Sequence, residues 1–256
     1  MTWPFENDTS AITKKLAKKS LQSEKRRNLM VVIAVALASC LICFSIVMAL
    51  STRQIEKNHV EDTYEAVYTR ITEEDVSTLK ELDDFSRVGE YYMLAVEPAK
   101  QGYNASYIYC DEETMYIARD QMKLLEGRLP QKEDEVAVSR YFLSNYGADA
   151  GIGEKVMLNS ESFHGEYTVT GILEGYKEKE VNGSSILLSK EALKGWSGYD
   201  PADYRAYVHF KNEQQMDETE LTARSREIAK EYQLEMPVMN LSYICLLYTS
   251  PSPRDR

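Results

Sequence analysis

The chain has 256 residues, of which 43% are hydrophobic and 28% are charged. This composition suits one or two ordinary domains with a sizeable core and excludes disordered and fibrous proteins. The first 28 residues hold seven basic and three acidic side chains, so the formal net charge of −11 leaves about −15 on the remainder. An acidic surface repels phosphates, which excludes nucleic acid as a partner.

The most distinctive segment covers residues 29–50, which form 22 consecutive positions without a charge. At a rise of ~1.5 Å per residue a helix of this length spans about 33 Å, enough to cross a bilayer. A signal peptide has a shorter apolar core and a shorter basic head, so we interpret the segment as a retained transmembrane helix. The run Lys25-Arg26-Arg27 precedes it, and the positive-inside rule therefore places the N-terminus in the cytoplasm and the acidic domain outside the plasma membrane.

Residues 10–27 show the period of an amphipathic helix that would lie on membrane lipids. One half of the helical wheel is mostly apolar, and the other half carries the cations that anionic headgroups attract. The alternative is a solvated basic tail that only sets the topology. The apolar half holds Ile12, Leu16, Ala17 and Leu21 with Thr13 and Ser20, and the cationic half holds Lys14, Lys15, Lys18, Lys19, Lys25 and Arg26.

Beyond the spanning segment, residues 51–63 are polar and are expected to continue the helix as a stalk. Alternating strand and helix patterns then predict an α+β domain with a largely antiparallel sheet. Thr72 with Asp75 three residues later predicts a capping box at the first of the helices. The predicted strands cover residues 64–71, 88–96, 105–110, 135–138, 154–158, 167–173, 185–188 and 205–210. The predicted helices cover residues 73–82, 120–125, 140–146, 190–195 and 216–232.

The sequence offers no catalytic, cofactor-binding or metal-binding residues. It contains no Walker A motif, no nucleophile elbow and no set of serine, histidine and aspartate that stands out. His59, His164 and His209 lack a cysteine or second histidine at ligand spacing and are predicted to be surface or strand residues. Residues 147–153 are glycine-rich but lie between a helix and a strand, the reverse of a dinucleotide-binding order, and predict a turn.

The acidic clusters and the cysteines also have structural interpretations. Residues 73–75, 111–113 and 133–135 lack the alternating ligands and the central glycine of a calcium loop, so they predict solvated faces or helix starts. Cys40 and Cys43 fall inside the hydrophobic segment, and Cys110 is predicted to be a buried, unreactive thiol.

The order of these parts resembles the FtsX-like, MacB-type permeases of bacterial ABC transporters. The basic amphipathic helix, the spanning helix and an outer α+β domain follow one another as in that family. The most specific piece is Glu126-Gly127-Arg128-Leu129-Pro130 followed by Glu135-Val136-Ala137-Val138-Ser139, which is similar to a segment of the periplasmic core domain. Gly127 and Pro130 suit a turn there, and Val136 and Val138 suit the buried face of a strand. The resemblance covers residues 10 to about 240.

The resemblance implies a permease subunit that is not itself an enzyme. The partners that it implies are an ABC ATPase, membrane lipids and a second permease copy. It also implies three further spanning helices after the outer domain. The last residues, from Cys245 onward, are proline-rich and basic, and we expect them to be a non-native tail on a truncated chain. We expect four parts in chain order. Residues 1–28 form a cytoplasmic helix, residues 29–50 form the transmembrane helix, residues 51–244 form the outer domain, and residues 245–256 form the tail.

The first functional hypothesis is therefore an ABC transporter permease that couples ATP hydrolysis by its partner to motion of an outer domain. Export, peptide resistance and cell-envelope regulation are the roles that the resemblance implies. The alternative is a single-span anchored sensor or binding module, which needs no ATPase.

Overall fold

The computed structural model describes residues 10–23, 25–60, 62–98, 103–119, 121–146, 149–175, 178–211, 216–241 and 243. The chain divides into two units, Met1–Asn58 and His59–Arg256. We call the second unit the outer domain. The predicted tail at residues 245–256, with Cys245, lies outside the described residues.

The N-terminal unit is built from two helices, α1 (Ser10–Ser23) and α2 (Lys25–Val60). The prediction of one helix over residues 10–27 is wrong at its end, because Lys25 and Arg26 belong to α2. Within α2, Lys25–Thr52 is long and apolar enough to cross a membrane, and none of its most apolar window is buried within this unit. The helix continues through the polar stretch to Val60, whereas the predicted stalk extends to residue 63. The bounds 29–50 for the membrane segment stay a prediction.

The outer domain is organised around one mixed sheet. Its strands are β1 (Ala66–Ile71), β2 (Phe85–Pro98), β3 (Asn104–Cys110), β4 (Met122–Gly127), β5 (Glu135–Ser139), β6 (Lys155–Asn159), β7 (His164–Gly175), β8 (Gly183–Leu188), β9 (Tyr204–Phe210) and β10 (Val238–Met239). In the described residues the strands follow the order β10-β1-β9-β2-β3-β8-β5-β7-β4, and β6 also pairs with β7. Parallel pairs join β3 to β8 and β5 to β7, and the other pairings in the described sheet are antiparallel. The predicted α+β class with a largely antiparallel sheet is confirmed.

Helices cover the sheet, and several begin at a side-chain cap that the sequence encodes. Thr72 and Asp75 form the predicted capping box, in which each side chain accepts a hydrogen bond from the other residue's backbone N–H. Asp217 with Glu220 repeats this arrangement at the last helix. The helices are α3 (Glu73–Glu81), α4 (Glu112–Ile117), α5 (Arg140–Tyr146), α6 (Glu178–Val181), α7 (Lys190–Gly195) and α8 (Glu218–Glu231).

Strand β5 lies in the middle of the core, with buried side chains on both faces. Val136 and Val138 join the larger apolar cluster, as predicted for a buried face. Ala137 points to the other face and joins a smaller cluster with Ile108 and Leu173. Because neighbouring strands cover both edges and apolar side chains cover both faces, β5 is a fixed element against which the other parts are positioned.

The segment around residues 111–127 differs most from the sequence prediction. A helix was expected over residues 120–125, but residues 122–125 lie in the edge strand β4, residue 121 lies in a turn, and residue 120 lies outside the described residues. The helix lies earlier, at α4. Asp111 explains the shift because its side chain caps α4 by accepting a hydrogen bond from the Thr114 N–H. The short elements α6 and β10 were also not predicted.

Candidate functional site

The first residues of the outer domain that follow α2 are buried and tied to three other parts of the fold. Thr63 and Glu65 are fully buried and Tyr64 is nearly so. We call this region the β1 junction, and we define it as residues 62–65 with their partners Ile117, Arg119, Gln121, His209 and Asn240. Every one of these residues belongs to the outer domain. Burial this deep means that the chain cannot move at this point without moving what surrounds it.

Backbone bonds hold the junction on two sides. The Glu65 N–H donates to the Val208 carbonyl on β9 at 3.0 Å. The Asn240 N–H donates to the Glu65 carbonyl at 2.8 Å, and the Asn240 side-chain amide donates to the Tyr64 carbonyl at 2.9 Å. The start of the domain is therefore bonded to residues that lie near its C-terminal end.

The Glu65 carboxylate lies inside this junction with its partners in place. One carboxylate oxygen lies 2.7 Å from the Nδ1 atom of His209, and the other accepts a bond from the Phe210 N–H at 2.8 Å. A buried carboxylate without such partners would be strongly destabilising. The pair therefore fixes β1 against β9 by side chains as well as by the sheet ladder.

The C-terminal end of α4 forms the third contact of the junction. The Tyr64 N–H donates to the Ile117 carbonyl at 3.0 Å, and the Arg119 guanidinium donates to the Asp62 carbonyl at 3.2 Å. The Gln121 side-chain amide also bonds the Tyr64 hydroxyl. Asp62 follows the last residue of α2 by two positions, so α4 contacts the chain directly after the stalk helix.

The N-terminal end of α4 is fixed by a network centred on Asp111. One oxygen of Asp111 accepts bonds from the Thr114 N–H at 2.8 Å and from the Glu90 N–H at 2.9 Å. The other oxygen bonds the Lys80 ammonium of α3 at 3.1 Å. Helix α4 is thus held at its start by β2 and α3, and at its end by the β1 junction.

The charge network extends from Glu90 to helix α7. The Lys190 ammonium lies 2.6 Å from Glu90 and 2.8 Å from Glu73, and Lys194 also bonds Glu73 at 3.1 Å. Burial opposes the charge on Lys190, but the bonds to the two carboxylates outweigh it and raise the pKa of Lys190. The side chain of Glu90 is almost completely buried, and its charge is compensated by Lys190 at 2.6 Å and by Lys80 at 3.9 Å.

The motif that resembles the family, residues 126–130 followed by residues 135–139, is also held by side-chain bonds, and it begins at the edge strand β4. The Arg128 guanidinium makes two hydrogen bonds to the Glu135 carboxylate, at 2.7 and 2.8 Å. This fork-to-fork pairing, together with bonds from the backbone N–H groups of Gln131 and Lys132, lowers the pKa of Glu135 to about 2. The motif therefore closes the loop between β4 and β5.

Gly127 has a backbone conformation that this loop requires. Its φ is +82°, a region that residues with a Cβ rarely adopt, and a Cβ there would lie 2.2 Å from the Thr170 carbonyl oxygen. Arg128 donates its N–H to that same carbonyl at 2.9 Å. The predicted turn roles of Gly127 and Pro130 agree with this loop, in which Pro130 is buried.

The structure places the other singled-out residues as follows. Cys110 is buried, as predicted, and burial raises the pKa of its thiol. His209 lies in a strand, but it is buried and paired, which the sequence did not indicate. His164 begins β7 with an exposed side chain, and His59 lies in α2. Of the glycine-rich stretch, residues 149–153 form a loop as predicted, and residues 147–148 lie outside the described residues.

Two of the three acidic clusters begin helices, as predicted, whereas the prediction for the third cluster is wrong. Residues 73–75 begin α3 and residues 111–113 begin α4, as predicted. In the third cluster Glu135 is a buried strand residue, because Arg128 compensates its charge. Within the described ranges, no group of three or more His, Cys, Asp and Glu side chains is placed to hold a metal ion. The expectation that the chain has no catalytic or cofactor residues stays a prediction.

Comparison with known proteins gives one family and several similar folds. The model of the MacB-like periplasmic core domain matches residues 29–226. The extracellular domain of the noncanonic ABC-type transporter YknZ from Gram-positive bacteria is 14% identical, with a TM-score of 0.48 over 70% of this chain and 100% of that chain. The periplasmic region of MacB from Actinobacillus actinomycetemcomitans is 12% identical, with a TM-score of 0.49 over 77% of this chain and 97% of that one. No curated protein matches the chain. At these identities and TM-scores, the two solved structures establish neither an activity nor a partner.

Proposed function

The chain belongs to the MacB-like periplasmic core domain family, and from this premise we propose that it is the permease subunit of an ABC transporter whose outer domain moves when a partner ATPase hydrolyses ATP. In this proposal α2 is the first membrane helix, the N-terminus is cytoplasmic and the outer domain lies outside the plasma membrane. The ATPase supplies the chemistry, and this chain transmits movement.

The β1 junction is the observation that carries the proposal. The residues that directly follow α2 are bonded to α4, to β9 and to Asn240, and they are buried. A displacement of the chain at Asp62 would therefore be passed to several elements of the domain at once. Loosely attached domains have few buried contacts at their linkers, whereas this one has a carboxylate and three consecutive buried residues there.

Helix α4 is the element that would carry the displacement further. It contacts the junction through Ile117 and through Arg119 in the turn that follows it. It contacts the charge network around Glu90 through its N-cap residue Asp111. A shift of α4 along its axis would strain both sets of bonds, because hydrogen bonds weaken steeply with misalignment. The geometry thus favours movement of the domain as a connected body.

The first test is to read the source locus from before the codon for Asn240 through at least about a kilobase downstream. We expect further hydrophobic spans in the same reading frame and a neighbouring gene that encodes a P-loop ATPase. A stop codon directly after Arg256, with no ATPase gene nearby, would contradict the proposal. That outcome would favour a single-span anchored sensor or binding module.

The second test measures coupling in the complex of the full permease with that ATPase. We expect amide hydrogen exchange in residues 62–71 and in α4 to differ between the ATP-bound and ADP-bound complexes. The Asn240→Ala variant removes the bond to the Tyr64 carbonyl and should reduce this difference. The control is Asn145→Ala, which removes an amide bonded within α5. If the amide hydrogen-exchange rates in the outer domain are the same in the ATP-bound and ADP-bound complexes, coupling through this junction is excluded.

A further inference from the structure

A partly enclosed cavity of about 70 Å³ lies between α4 and the sheet. Its walls come from β2, β3, α4, β4, β8 and β9. A single water needs only about 10–15 Å³ of such space, so the cavity has room for an ion around which the side chains can close. We call this space, which Cys110, Met115, Ala118 and Tyr207 border, the α4 cavity.

Three sulfur-containing side chains, those of Cys110, Met115 and Met122, line this one cavity. They belong to three consecutive elements, the end of β3, α4 and the start of β4, so the chain wraps around the cavity as it passes from one to the next. Met93 of β2 is half-exposed and packs against the same apolar cluster as Cys110. Methionine and cysteine are common in cores as fillers of irregular gaps, but these three border a space that the described residues leave open.

The thiol of Cys110 has no hydrogen-bond partner in the part of the chain that the structure describes. Only 3% of Cys110 is exposed, so bulk water does not replace the missing partner. A buried polar group without a partner is an exception in folded proteins and calls for an explanation. Here the unpartnered thiol shares its cavity with two thioethers, and together they form a set of soft metal ligands.

The cavity offers little to a hard cation. The Thr114 hydroxyl donates to the Glu90 carbonyl at 2.9 Å, and the Gln121 amide donates to the Tyr64 hydroxyl, so these polar groups are committed elsewhere. Among the described residues that line the cavity, none is an aspartate, a glutamate or a histidine. Calcium and magnesium require several oxygen ligands, carboxylates above all. The donor set therefore favours a soft ion.

We propose that the α4 cavity binds one soft monovalent metal ion of the Cu(I) type. Thiolate and thioether ligands select Cu(I), and Cys110, Met115 and Met122 supply one thiolate and two thioethers. The ion replaces the thiol proton, which leaves to solvent as the bond between copper and sulfur forms, and each thioether donates a lone pair. The positive charge of the ion and the negative charge of the thiolate cancel, which suits a buried site.

This inference goes beyond the proposed function and stands without it, since neither an ATPase nor a further membrane helix takes part. A bound ion connects α4 to β3 and β4, in addition to the polar contacts that hold the two ends of the helix. Cys110 can stay closed to a bulky alkylating reagent, as expected of a buried thiol, and still meet an ion that is small enough for the cavity.

The experiment measures the affinity of the full chain for Cu(I) in neutral detergent under argon, by competition with the coloured chelator bicinchoninate. Cys40 and Cys43 are exposed thiols in α2, and Cys245 lies in the tail. The substitutions Cys40→Ala, Cys43→Ala and Cys245→Ala therefore form the background for every variant. We expect this background to bind one Cu(I) and to give an X-ray absorption spectrum with sulfur neighbours and no nitrogen.

Each proposed ligand has its own variant. Loss of even an outer-shell partner costs a metal site about 10–100-fold in affinity, so Cys110→Ala, Met115→Leu and Met122→Leu should each weaken Cu(I) binding by at least about tenfold. Leucine conserves the volume of methionine, so the methionine variants should fold.

The matched control is Met157→Leu, the same change at an exposed position on β6. Its effect on the Cu(I) affinity should stay below about twofold, because a surface substitution away from the site changes little.

Thermal unfolding without metal shows whether each variant is folded. Cu(I) should raise the unfolding temperature of the background more than that of Cys110→Ala, because an ion that prefers the folded chain stabilises it. Equal Cu(I) affinities of the background and Cys110→Ala would overturn the proposal. A loss with Cys110→Ala but none with Met115→Leu or Met122→Leu would reduce the site to a lone thiol and would overturn it as well. None of these results bears on the locus test or the exchange test, so the two proposals fail separately.

Discussion

The imidazole of His209 and the carboxylate of Glu65 form a buried pair, with Nδ1 and Oε1 2.7 Å apart, where the outer domain begins. Removing one member leaves the other without its partner in a buried place, so the single substitutions should cost more than the contact itself contributes. The stability of the β1 junction therefore depends on both members of the pair being present.

A double-mutant cycle on this pair gives the first prediction. Glu65→Ala and His209→Ala should each destabilise the domain, and their coupling energy should be about 1 to 3 kcal/mol. Urea unfolding followed by the fluorescence of Trp196, which stacks near Phe163, measures it. The control cycle uses Arg70 and Glu235, an exposed pair at 3.3 Å, for which we expect less than about 1 kcal/mol. If the two cycles give equal coupling energies, burial does not strengthen the interaction between Glu65 and His209.

Gly127 gives the second prediction, with Gly153 as its control. Both glycines have similar positive φ values, +82° and +85°, but a Cβ at Gly127 would meet the Thr170 carbonyl, whereas a Cβ at Gly153 meets nothing within 4 Å. Gly153→Ala should therefore cost only the conformational term of roughly 1 kcal/mol. Gly127→Ala should cost at least about 2 kcal/mol more. Similar urea midpoints for the two variants would contradict the close approach.

Glu135 gives a prediction about pH. Its pKa in the folded domain is about 2, below the value of about 4.3 for a free glutamate. The stabilisation is therefore complete above about pH 4.3 and is lost as the pH falls towards 2. Because Arg128 is half exposed, we discount the contribution to about 1 to 2 kcal/mol.

The measurement compares wild type with Glu135→Gln from pH 7 to pH 3. The variant should be less stable at pH 7, and its stability should fall less on acidification, so that the two curves approach each other. Glu166→Gln removes an exposed carboxylate bonded to Lys155 at 2.8 Å and is the control. Parallel curves for wild type and Glu135→Gln would exclude the proposed linkage.

Cys110 gives the fourth prediction. Its thiol is buried, and burial raises its pKa, so the reactive thiolate should be scarce at pH 8. Iodoacetamide should label Cys110 in unfolded chains and leave it almost unlabelled in the folded domain, as measured by mass spectrometry of the peptide that contains it. Rapid labelling without denaturant would mean that β3 opens readily.

Local signals in the sequence predicted much of the fold. The capping box at Thr72, the helix over Arg140–Tyr146 and the strand before Ser139 were all identified from neighbouring residues. The fold class and the family followed from the order of the parts. These features depend on residues within about one turn or one strand of each other, which is the range that sequence patterns report.

The parts that were missed depend on distant residues. The segment at residues 120–125 has a composition that suits a helix, but pairing with β7 makes residues 122–125 part of a strand. His209 was expected to be a surface or strand residue, and its pairing with Glu65 depends on β1 and β9 being neighbours. Lys190 and Glu90 are likewise brought together only by the packing of α7 on the sheet. No local pattern contains that information.

The position of β1 in the sheet has a consequence for synthesis. Its two neighbours, β9 and β10, are the last strands of the described chain, so β1 emerges long before either can pair with it. At a synthesis rate of about 5–20 residues per second, the wait for β9 is on the order of ten seconds. During that time the first strand has an unpaired edge, a template for aggregation. Shielding of this edge until β9 arrives would therefore favour correct folding of the domain.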